Sequence, residues 1–344
     1  MRIPSVFDAH SHVRIGDIME AVVPYVARYC QAAVVMPNTA KIRTGAQAPK
    51  HREEIVAIAA RAGYSGFRPL MTVMLTDDTD PADVATWPDA GIIAGKYYPA
   101  ELYPHGGVSD FDKIGDVLSE MGRVGIAFSG HIEKAGVHPL LAEQAAIPDF
   151  RRIADRGDIR VIFEHASTIE AIEAVREYPH AAATITPQHL WLTADDVYDA
   201  SRENIRHEHN WCRPVTKTAE DREVLRVAAM SGDPKIFLGS DFAPHLAFSK
   251  ANIPPPAGCA CYPAALSVLA EVFAQYGRLD WLADFTSGHA ARFYGIQLSC
   301  DASPLTITEE EWIVPGSIFV GSQGERIIPW LAGEILPFFT SVSL

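Results

Sequence analysis

The sequence has few positive charges and no long apolar run. It carries 29 lysines and arginines against 43 acidic residues, a net charge of −14, and its basic residues form no cluster that would follow phosphates. We therefore expect no nucleic-acid partner and no anionic membrane surface. The most apolar late region, 327–339, is broken by Pro329, Glu334 and Pro337, and no stretch reaches the length that spans a bilayer. An anionic substrate would need cations placed at its own site.

Cysteine is also scarce, and no secretion signal follows Met1. We therefore expect a cytoplasmic protein, in which an odd number of cysteines predicts free thiols rather than a disulfide framework. The five are Cys30, Cys212, Cys259, Cys261 and Cys300. Cys259 and Cys261 could form half of a metal site, but no second thiol pair accompanies them, so we interpret them as structural.

Two nucleotide-binding signatures are missing as well. No Gly-x-Gly-x-x-Gly follows the first predicted strand and no Walker A sequence occurs, which disfavours an open nucleotide-binding sheet. Instead, eight short apolar segments alternate with helical patterns, as expected for strands buried on both faces. They are residues 5–10, 32–36, 67–75, 91–96, 125–130, 160–164, 181–186 and 235–239. Eight such units predict an α/β fold, a (β/α)8 TIM barrel with parallel strands.

Helical patterns lie between these strands. We predict helices over 17–29, 49–62, 110–121, 147–156, 168–177, 219–231 and 262–276. Ser109 is the predicted N-cap of the third. No linker rich in glycine, serine or proline divides the chain, so we expect 1–344 to be a single domain. The last segment, 299–344, repeats no strand–helix unit and is predicted to be a C-terminal extension covering one end of the barrel.

Polar and titratable residues follow six of the predicted strands. In barrels of this kind the functional groups lie at the carboxyl ends of the strands. His10 and His12 are two residues apart at the end of the first strand, so they share a face and could hold a divalent metal ion. Later strands end with or are followed by Asn38, Lys96, His131, His165 and Asp241. Such a collection of metal-capable and titratable groups on one face is what an active site requires.

Several stretches resemble one family, the dihydroorotases of the bacterial single-function kind in the amidohydrolase superfamily. The similarity extends from His10 to beyond residue 295. Its most specific stretches are TITPQHL at 184–190 and SDFAPH at 240–245, with VMPN at 35–38, GKYYP at 95–99 and FEH at 163–165. The resemblance implies hydrolysis of a cyclic amide, the reversible interconversion of dihydroorotate and N-carbamoyl-L-aspartate in pyrimidine biosynthesis.

The resemblance also implies a centre of two divalent metal ions. The implied ligands are His10, His12 and Asp241 for one ion, His131 and His165 for the other, and Lys96, carboxylated by carbon dioxide, between them. Zinc is the expected metal, although histidine and carboxylate oxygen suit cobalt and manganese as well. Asp241 would also transfer the proton from the attacking water to the leaving nitrogen.

A substrate clamp is implied in the same way. Arg14, Asn38 and His245 match the family positions that hold the carboxylate of the small-molecule substrate. Arginine offers a planar, bidentate grip on such a group. The resemblance further implies a homodimer. His189 lies in a family-like stretch, and we interpret it as a residue that orients other groups.

Two positions depart from the family pattern. The segment 100–108 matches a loop that closes on the substrate through two threonines, but it contains none; Pro104 would stiffen it. Arg213 stands where the family usually has an apolar residue. Two alternatives therefore stay open. One is a related amidohydrolase acting on a hydantoin-like or dihydropyrimidine-like ring, and the other is a non-catalytic binding barrel, which predicts missing metal ligands.

Overall fold

Eight parallel strands form the centre of the computed structural model, which describes residues 1–103, 106–299 and 302–342. A short strand, β1 (Arg2–Ile3), precedes them. The barrel strands are β2 (Val6–Ser11), β3 (Cys30–Val35), β4 (Arg68–Met74), β5 (Ile92–Tyr97), β6 (Ala127–Gly130), β7 (Val161–Phe163), β8 (Ala181–Ile185) and β9 (Ile236–Leu238). They pair in sequence order, which confirms the predicted (β/α)8 barrel with parallel strands.

The ring closes where the first and last barrel strands meet. The backbone nitrogen of Asp241 donates to the carbonyl of His10 at 2.9 Å, and that of His12 donates to the carbonyl of Phe242 at 2.9 Å. The barrel strands are buried almost throughout, because one face packs inside the barrel and the other packs under the helices. Near-continuous apolar runs are therefore the pattern that such strands require.

Eleven α-helices are found in the described residues. They are α1 (Gly16–Tyr29), α2 (Ala48–Arg61), α3 (Pro81–Val84), α4 (Gly115–Arg123), α5 (Pro139–Ala154), α6 (Ile169–Arg176), α7 (Pro187–Trp191), α8 (Ala219–Ala229), α9 (Ala247–Lys250), α10 (Ala265–Gln275) and α11 (His289–Tyr294). Short 3₁₀ turns cover Gly45–Gln47, Phe111–Ile114, Ala194–Asp196 and Leu279–Trp281, and a π-helical turn covers Asp284–Gly288. None of these helices has both the length and the apolarity needed to cross a membrane.

Two helix predictions need correction. The helix predicted to begin at residue 147 begins at Pro139, because His138 caps it by accepting from the backbone nitrogen of Leu140, and Pro148 lies inside it. The predicted N-cap Ser109 does not cap a helix. The next residue, Asp110, caps a 3₁₀ turn, and Ser109 instead donates to Asp77 through its backbone nitrogen and its hydroxyl, at 2.7 and 2.6 Å.

Aromatic residues of α11 close the amino-terminal end of the barrel. The ring of Tyr294 lies 5.8 Å from that of Phe7, and the ring of Phe293 lies 5.6 Å from that of Phe237. The extension that follows also reaches this end, where Ser5 donates its hydroxyl to the carbonyl of Ser303 at 2.8 Å. The opposite, carboxyl-terminal end of the strands therefore stays available for a site.

The extension then continues along the side of the barrel. Its strands are β10 (Leu305–Ile313), β11 (Ile318–Val320), β12 (Glu325–Ile327) and β13 (Ile335–Val342). β10 lies between β1 and β13 in an antiparallel sheet, while β11 and β12 form a hairpin. β13 packs against α10 and β11 packs against α1. The fully buried Trp330 donates its backbone nitrogen to the carbonyl of Ala260 at 2.9 Å, so the extension also braces a loop at the carboxyl end.

Candidate metal centre and substrate cavity

Two histidines and an aspartate meet at the seam between the first and last barrel strands. The Nε2 atoms of His10 and His12 lie 3.3 Å apart, and Oδ1 of Asp241 lies 3.1 Å from Nε2 of His12 and 3.5 Å from Nε2 of His10. All three side chains are buried, and one potential ligand atom from each lies within 4.8 Å of the others. The pairing of β2 with β3 is irregular between Asp8 and Ser11, where β2 presents His10 to this cluster.

Hydrogen bonds fix which imidazole nitrogens carry protons. His10 donates Nδ1–H to Glu164 at 2.8 Å, and His12 donates Nδ1–H to the side-chain oxygen of Asn38 at 2.9 Å. Each Nε2 is then a lone pair that faces the other and faces Asp241. Three electron-pair donors in one buried position would repel one another unless a cation lies between them. This donor set fits a divalent metal ion.

Lys96, His131 and His165 form the second half of the cluster. His131 donates Nε2–H to Glu133 at 2.6 Å, which leaves its Nδ1 as a lone pair 3.2 Å from Nε2 of His165. The His10 and His165 rings have centroids 5.0 Å apart, so the two halves adjoin. The six residues implied as metal ligands therefore lie together.

Two polar atoms of this second half have no partner in the described residues. Neither Nζ of Lys96 nor Nδ1 of His165 makes a hydrogen bond, although both are buried. Burial lowers the pKa of Lys96 to about 8. Orphaned buried donors and acceptors are rare in folded proteins because each costs free energy. Groups bound to these two nitrogens would supply the partners that both atoms lack among the described residues.

Three buried acids hold the histidines and the seam. Glu164 accepts from His10 and also from the hydroxyls of Ser129 and Thr184, at 2.5 and 2.7 Å. Asp8 accepts from the hydroxyl and backbone nitrogen of Ser240, at 2.5 and 2.8 Å. The third acid is Glu133. The sequence pattern predicts no role for these acids, although Glu164 and Glu133 lie one and two residues from a predicted ligand.

The predicted carboxylate clamp lies beside the metal-capable cluster. Arg14 donates to the carbonyl of Pro244 at 2.8 Å and to the hydroxyl of Thr39 at 3.1 Å, and its Nη2 lies 3.1 Å from Nε2 of His245. Burial lowers its pKa only to about 10, so the guanidinium stays charged at neutral pH. Arg14, Asn38 and His245 all line one cavity of about 260 Å³ together with the histidines and Asp241.

Sequence comparison with named relatives decides the family. A dihydroorotase from Shewanella sediminis is 38% identical over 335 residues, covering 95% of this chain and 95% of that protein. A dihydroorotase from Acidovorax sp. is 36% identical over 342 residues, covering 96% of this chain and 95% of that protein. The chain belongs to the dihydroorotase family. None of the protein-family models compared with it matches.

Solved dihydroorotase structures share the fold over nearly the whole chain. The enzyme from Campylobacter jejuni gives a TM-score of 0.86 at 28% identity, covering 99% of this chain and 97% of its own. The enzyme from Saccharomyces cerevisiae, solved in complex with 5-fluoroorotic acid, gives 0.91 at 27% identity, covering 100% and 98%. An L-hydantoinase from Arthrobacter aurescens, at 18% identity and a TM-score of 0.76, shares the fold over 99% of this chain and 84% of its own.

Membership in the dihydroorotase family confirms the resemblance that the motifs indicated. The family belongs to the amidohydrolase superfamily, and the chain is a metal-dependent hydrolase that acts on cyclic amides, which are small molecules. The alternative of a non-catalytic barrel predicted missing metal ligands. It is not supported, because the predicted residues are present and lie together.

The two departures from the dihydroorotase pattern both lie at the cavity. Tyr103, in the threonine-free segment, lines it, and its ring centroid lies 4.2 Å from that of Tyr98 and 5.4 Å from that of His131. The expectation about Pro104 lies outside the described residues. Arg213 lines the cavity as well, with its Nε donating to Glu133 at 3.0 Å.

Other predicted residues have structural surroundings. His189 contacts the hydroxyl of Thr186 and the carbonyl of Pro214, at 2.8 and 2.9 Å, which fits an orienting role. The four cysteines in the described part of the chain are buried and free, as the odd cysteine count predicted. Cys261 contacts the carbonyl of Ser240 at 3.4 Å, and the metal-capable group found in the described residues contains no cysteine.

Proposed function

We propose that the chain catalyses the reversible hydrolysis of dihydroorotate to N-carbamoyl-L-aspartate in pyrimidine biosynthesis. The observation that carries this proposal is that one cavity joins the metal-capable cluster to the Arg14 clamp. The metal-capable cluster suits a scissile amide carbonyl, and the guanidinium of Arg14 suits a carboxylate. Dihydroorotate carries both groups on a single ring. We also propose that the protein is cytoplasmic and that it forms a homodimer. The homodimer rests on the family resemblance alone.

The residues around the cluster fit two divalent ions, for which we propose zinc. His10, His12 and Asp241 would hold one and His131 and His165 the other. Lys96, whose buried amine has no partner among the described residues, would join them after carboxylation by carbon dioxide. When bound, such ions polarise a carbonyl and lower the pKa of water.

Asp241 is the proposed general base and acid. Its carboxylate lies 3.1 Å from Nε2 of His12 and lines the cavity, where it can accept a proton. Asp241 takes the proton from the attacking water and returns it to the ring nitrogen that leaves. Meanwhile Arg14, Asn38 and His245 hold the substrate carboxylate, which fixes the ring against Asp241.

A related amidohydrolase acting on another ring is the second candidate. The threonine-free segment at Tyr103 and the guanidinium of Arg213 favour it, since both change the cavity wall. Hydantoins and dihydropyrimidines that lack a carboxylate would have no group for Arg14 to bind. The two candidates therefore differ in whether the carboxylate is needed.

An assay of substrate pairs separates the candidates. Protein loaded with zinc in bicarbonate should hydrolyse dihydroorotate at least about 100-fold more efficiently, in kcat/KM, than dihydrouracil or hydantoin, because those rings cannot form the ion pair between Arg14 and a carboxylate. In the Arg14→Met variant this preference should shrink to a few-fold. Equal turnover of dihydrouracil by the wild-type protein, or none of dihydroorotate at full metal loading, would refute the proposal.

A further inference from the structure

Lys250, the last residue of α9, has its ammonium buried between two loops behind the cavity wall. Its Nζ donates to the carbonyl of Trp211 at 3.2 Å and to the carbonyl of Pro256 at 3.0 Å. These two carbonyls are its hydrogen-bond partners within the part of the chain that the structure describes. Burying a charge is costly unless hydrogen bonds satisfy it, so the position of Lys250 is coupled to both loops.

The loop that contains Pro256 has few backbone donors of its own. Residues 254–256 are three consecutive prolines, which carry no backbone N–H. The residue before them, Ile253, is almost fully exposed, so the loop begins in solvent. Such a stretch can accept backbone hydrogen bonds but cannot donate them. The donor that fixes it must come from elsewhere, and Lys250 supplies one at the last proline.

The end of this loop is joined to the same carbonyl of Trp211. The backbone nitrogen of Gly258 donates to that carbonyl at 2.9 Å, so one oxygen accepts from both Lys250 and Gly258. Gly258 has a φ of +139°, and a Cβ at this position would clash with the carbonyl oxygen of Ala243. Glycine therefore permits a close approach of the loop to the segment after β9. Residues 256–258 are thus held at both ends.

Ala257, between these two anchors, connects the loop to the carboxylate clamp. Its carbonyl oxygen lies 3.0 Å from Nε2 of His245, and the same nitrogen lies 3.1 Å from Nη2 of Arg14. All three residues line the cavity. A shift of the Ala257 carbonyl would therefore change where His245 lies and, through it, how Arg14 presents its outer nitrogens.

We propose that Lys250 is a positioning residue for recognition of the substrate carboxylate. Its ammonium fixes the proline loop against Trp211, and the loop in turn holds His245 beside Arg14. Lys250 is not one of the described residues that line the cavity, so it acts through these others. The inference rests on the proposed function, which supplies the carboxylate that the clamp binds. A clamp held in one geometry binds that group without first having to be ordered.

Lys250→Met tests this role because it keeps most of the side-chain volume and removes the donors. In the metal-loaded protein we expect KM for dihydroorotate to rise about tenfold and kcat to change less than about threefold, because a misplaced clamp weakens hydrogen bonds to a charged group. The calorimetric Kd of orotate should rise by the same factor. That of uracil, which has no carboxylate, should stay within about twofold of the wild-type value. Lys250→Arg keeps a cation with several donors and should restore most of the affinity for orotate.

Lys235 provides the matched control, since its ammonium also donates to main-chain carbonyls but beside the amino end of β9. Its partners are the carbonyls of Val175, Arg176 and Tyr178, at 2.9, 3.3 and 3.1 Å. Lys235→Met should leave KM and the Kd of orotate at their wild-type values, even where it lowers Tm. A general loss of stability is thereby separated from an effect on the clamp.

Pro256→Gly provides a second variant, which covers the case that Lys250→Met does not fold. It leaves the buried lysine in place and gives the loop back the backbone freedom that proline removes. The Kd of orotate should therefore rise in this variant too, with little change for uracil.

Two results would overturn the inference. The first is a wild-type KM and orotate Kd in Lys250→Met or, where that variant does not fold, in Pro256→Gly. The second is an equal loss of orotate and uracil binding together with loss of metal, because Lys250 would then support the fold rather than the clamp. Orotate binding needs no turnover. A wild-type protein that binds orotate but does not hydrolyse dihydroorotate would therefore refute the proposed function alone.

Discussion

The buried amine of Lys96 indicates by itself that this site binds a further group. An amine that is fully buried and without a partner in the described residues is costly, and folding maintains it only where another requirement outweighs that cost. Burial lowers its pKa to about 8, so its neutral form is within reach near neutral pH. The neutral amine is the form that reacts with carbon dioxide. Lys96 is therefore poorly suited to a purely structural role in the core, but well suited to become an oxygen ligand after carboxylation.

Replacing Lys96 by alanine tests this role. We expect Lys96→Ala to lose activity by at least about 100-fold and to bind fewer than two ions per chain. Mutating even the hydrogen-bond partners of metal ligands costs about 10–100-fold, and a ligand should cost more. A small carboxylic acid should restore part of the activity by occupying the empty space. Near-wild-type rates in Lys96→Ala would contradict the assignment.

Lys235 offers a matched control for Lys96. Its ammonium donates to the carbonyls of Val175 and Tyr178, at 2.9 and 3.1 Å, beside the amino end of β9 and away from the cavity. Lys235→Ala removes a lysine without removing a proposed ligand. Metal content and rescue by carboxylic acids should therefore stay as in the wild-type protein.

At the scale of elements, the anchoring of the cavity loop stands out. Asp77, in the loop after β4, accepts from Ser109 and from Nζ of Lys113, the latter at 2.6 Å. These bonds tie down the chain that follows the segment 100–108. The hydrogen bonds from Lys113 and Ser109 lower the pKa of Asp77 from 3.8 to about 2. The anchor is therefore intact at neutral pH.

Acid should release this anchor. Because the pKa of Asp77 is lower in the folded protein, its stabilisation is complete above about pH 4 and is lost as the pH falls towards 2. Asp77→Ala should lower Tm by about 1–2 °C at pH 6, a small effect because the pair is exposed, and by less at pH 3. Hydrogen exchange at 109–113 should rise. Asp89→Ala, an exposed acid, is the control, and a Tm difference that does not depend on pH would contradict the prediction.

The barrel strands could be predicted from sequence, and some contacts between elements could not. Each strand is an apolar run that burial on both faces requires, and each proposed ligand ends a run or comes within two residues after one, so chain order alone brings them to one end. The roles of Glu164 and Asp8 depend instead on partners on or just after other strands, such as Ser129 and Ser240, which only the closed barrel brings close. The start of α5 was missed because its N-cap is a histidine, His138, which is not a usual capping residue.

For the whole molecule, the metal-capable cluster and the closure of the barrel share the same residues. His10 and His12 belong to the first barrel strand and its end, while Asp241 follows the last. The backbone bonds across this seam involve these same three residues. A metal ion between the side chains would therefore also hold the first and last strands together. With a metal ion bound, the proposed site would contribute to stability as well as to catalysis.

Metal removal should consequently weaken the seam more than the rest of the barrel. A ligand that binds only the folded state stabilises it by about 2.7 kcal/mol at 100 times its Kd, so chelation should lower Tm by several degrees. Hydrogen exchange should rise at 8–12 and 238–243, but little between β3 and β4, which carry none of the proposed ligands. In Asp241→Ala, chelation should have a smaller effect on both readouts. Uniform loss of protection around the barrel would show instead that the ions stabilise the fold without any special role at its closure.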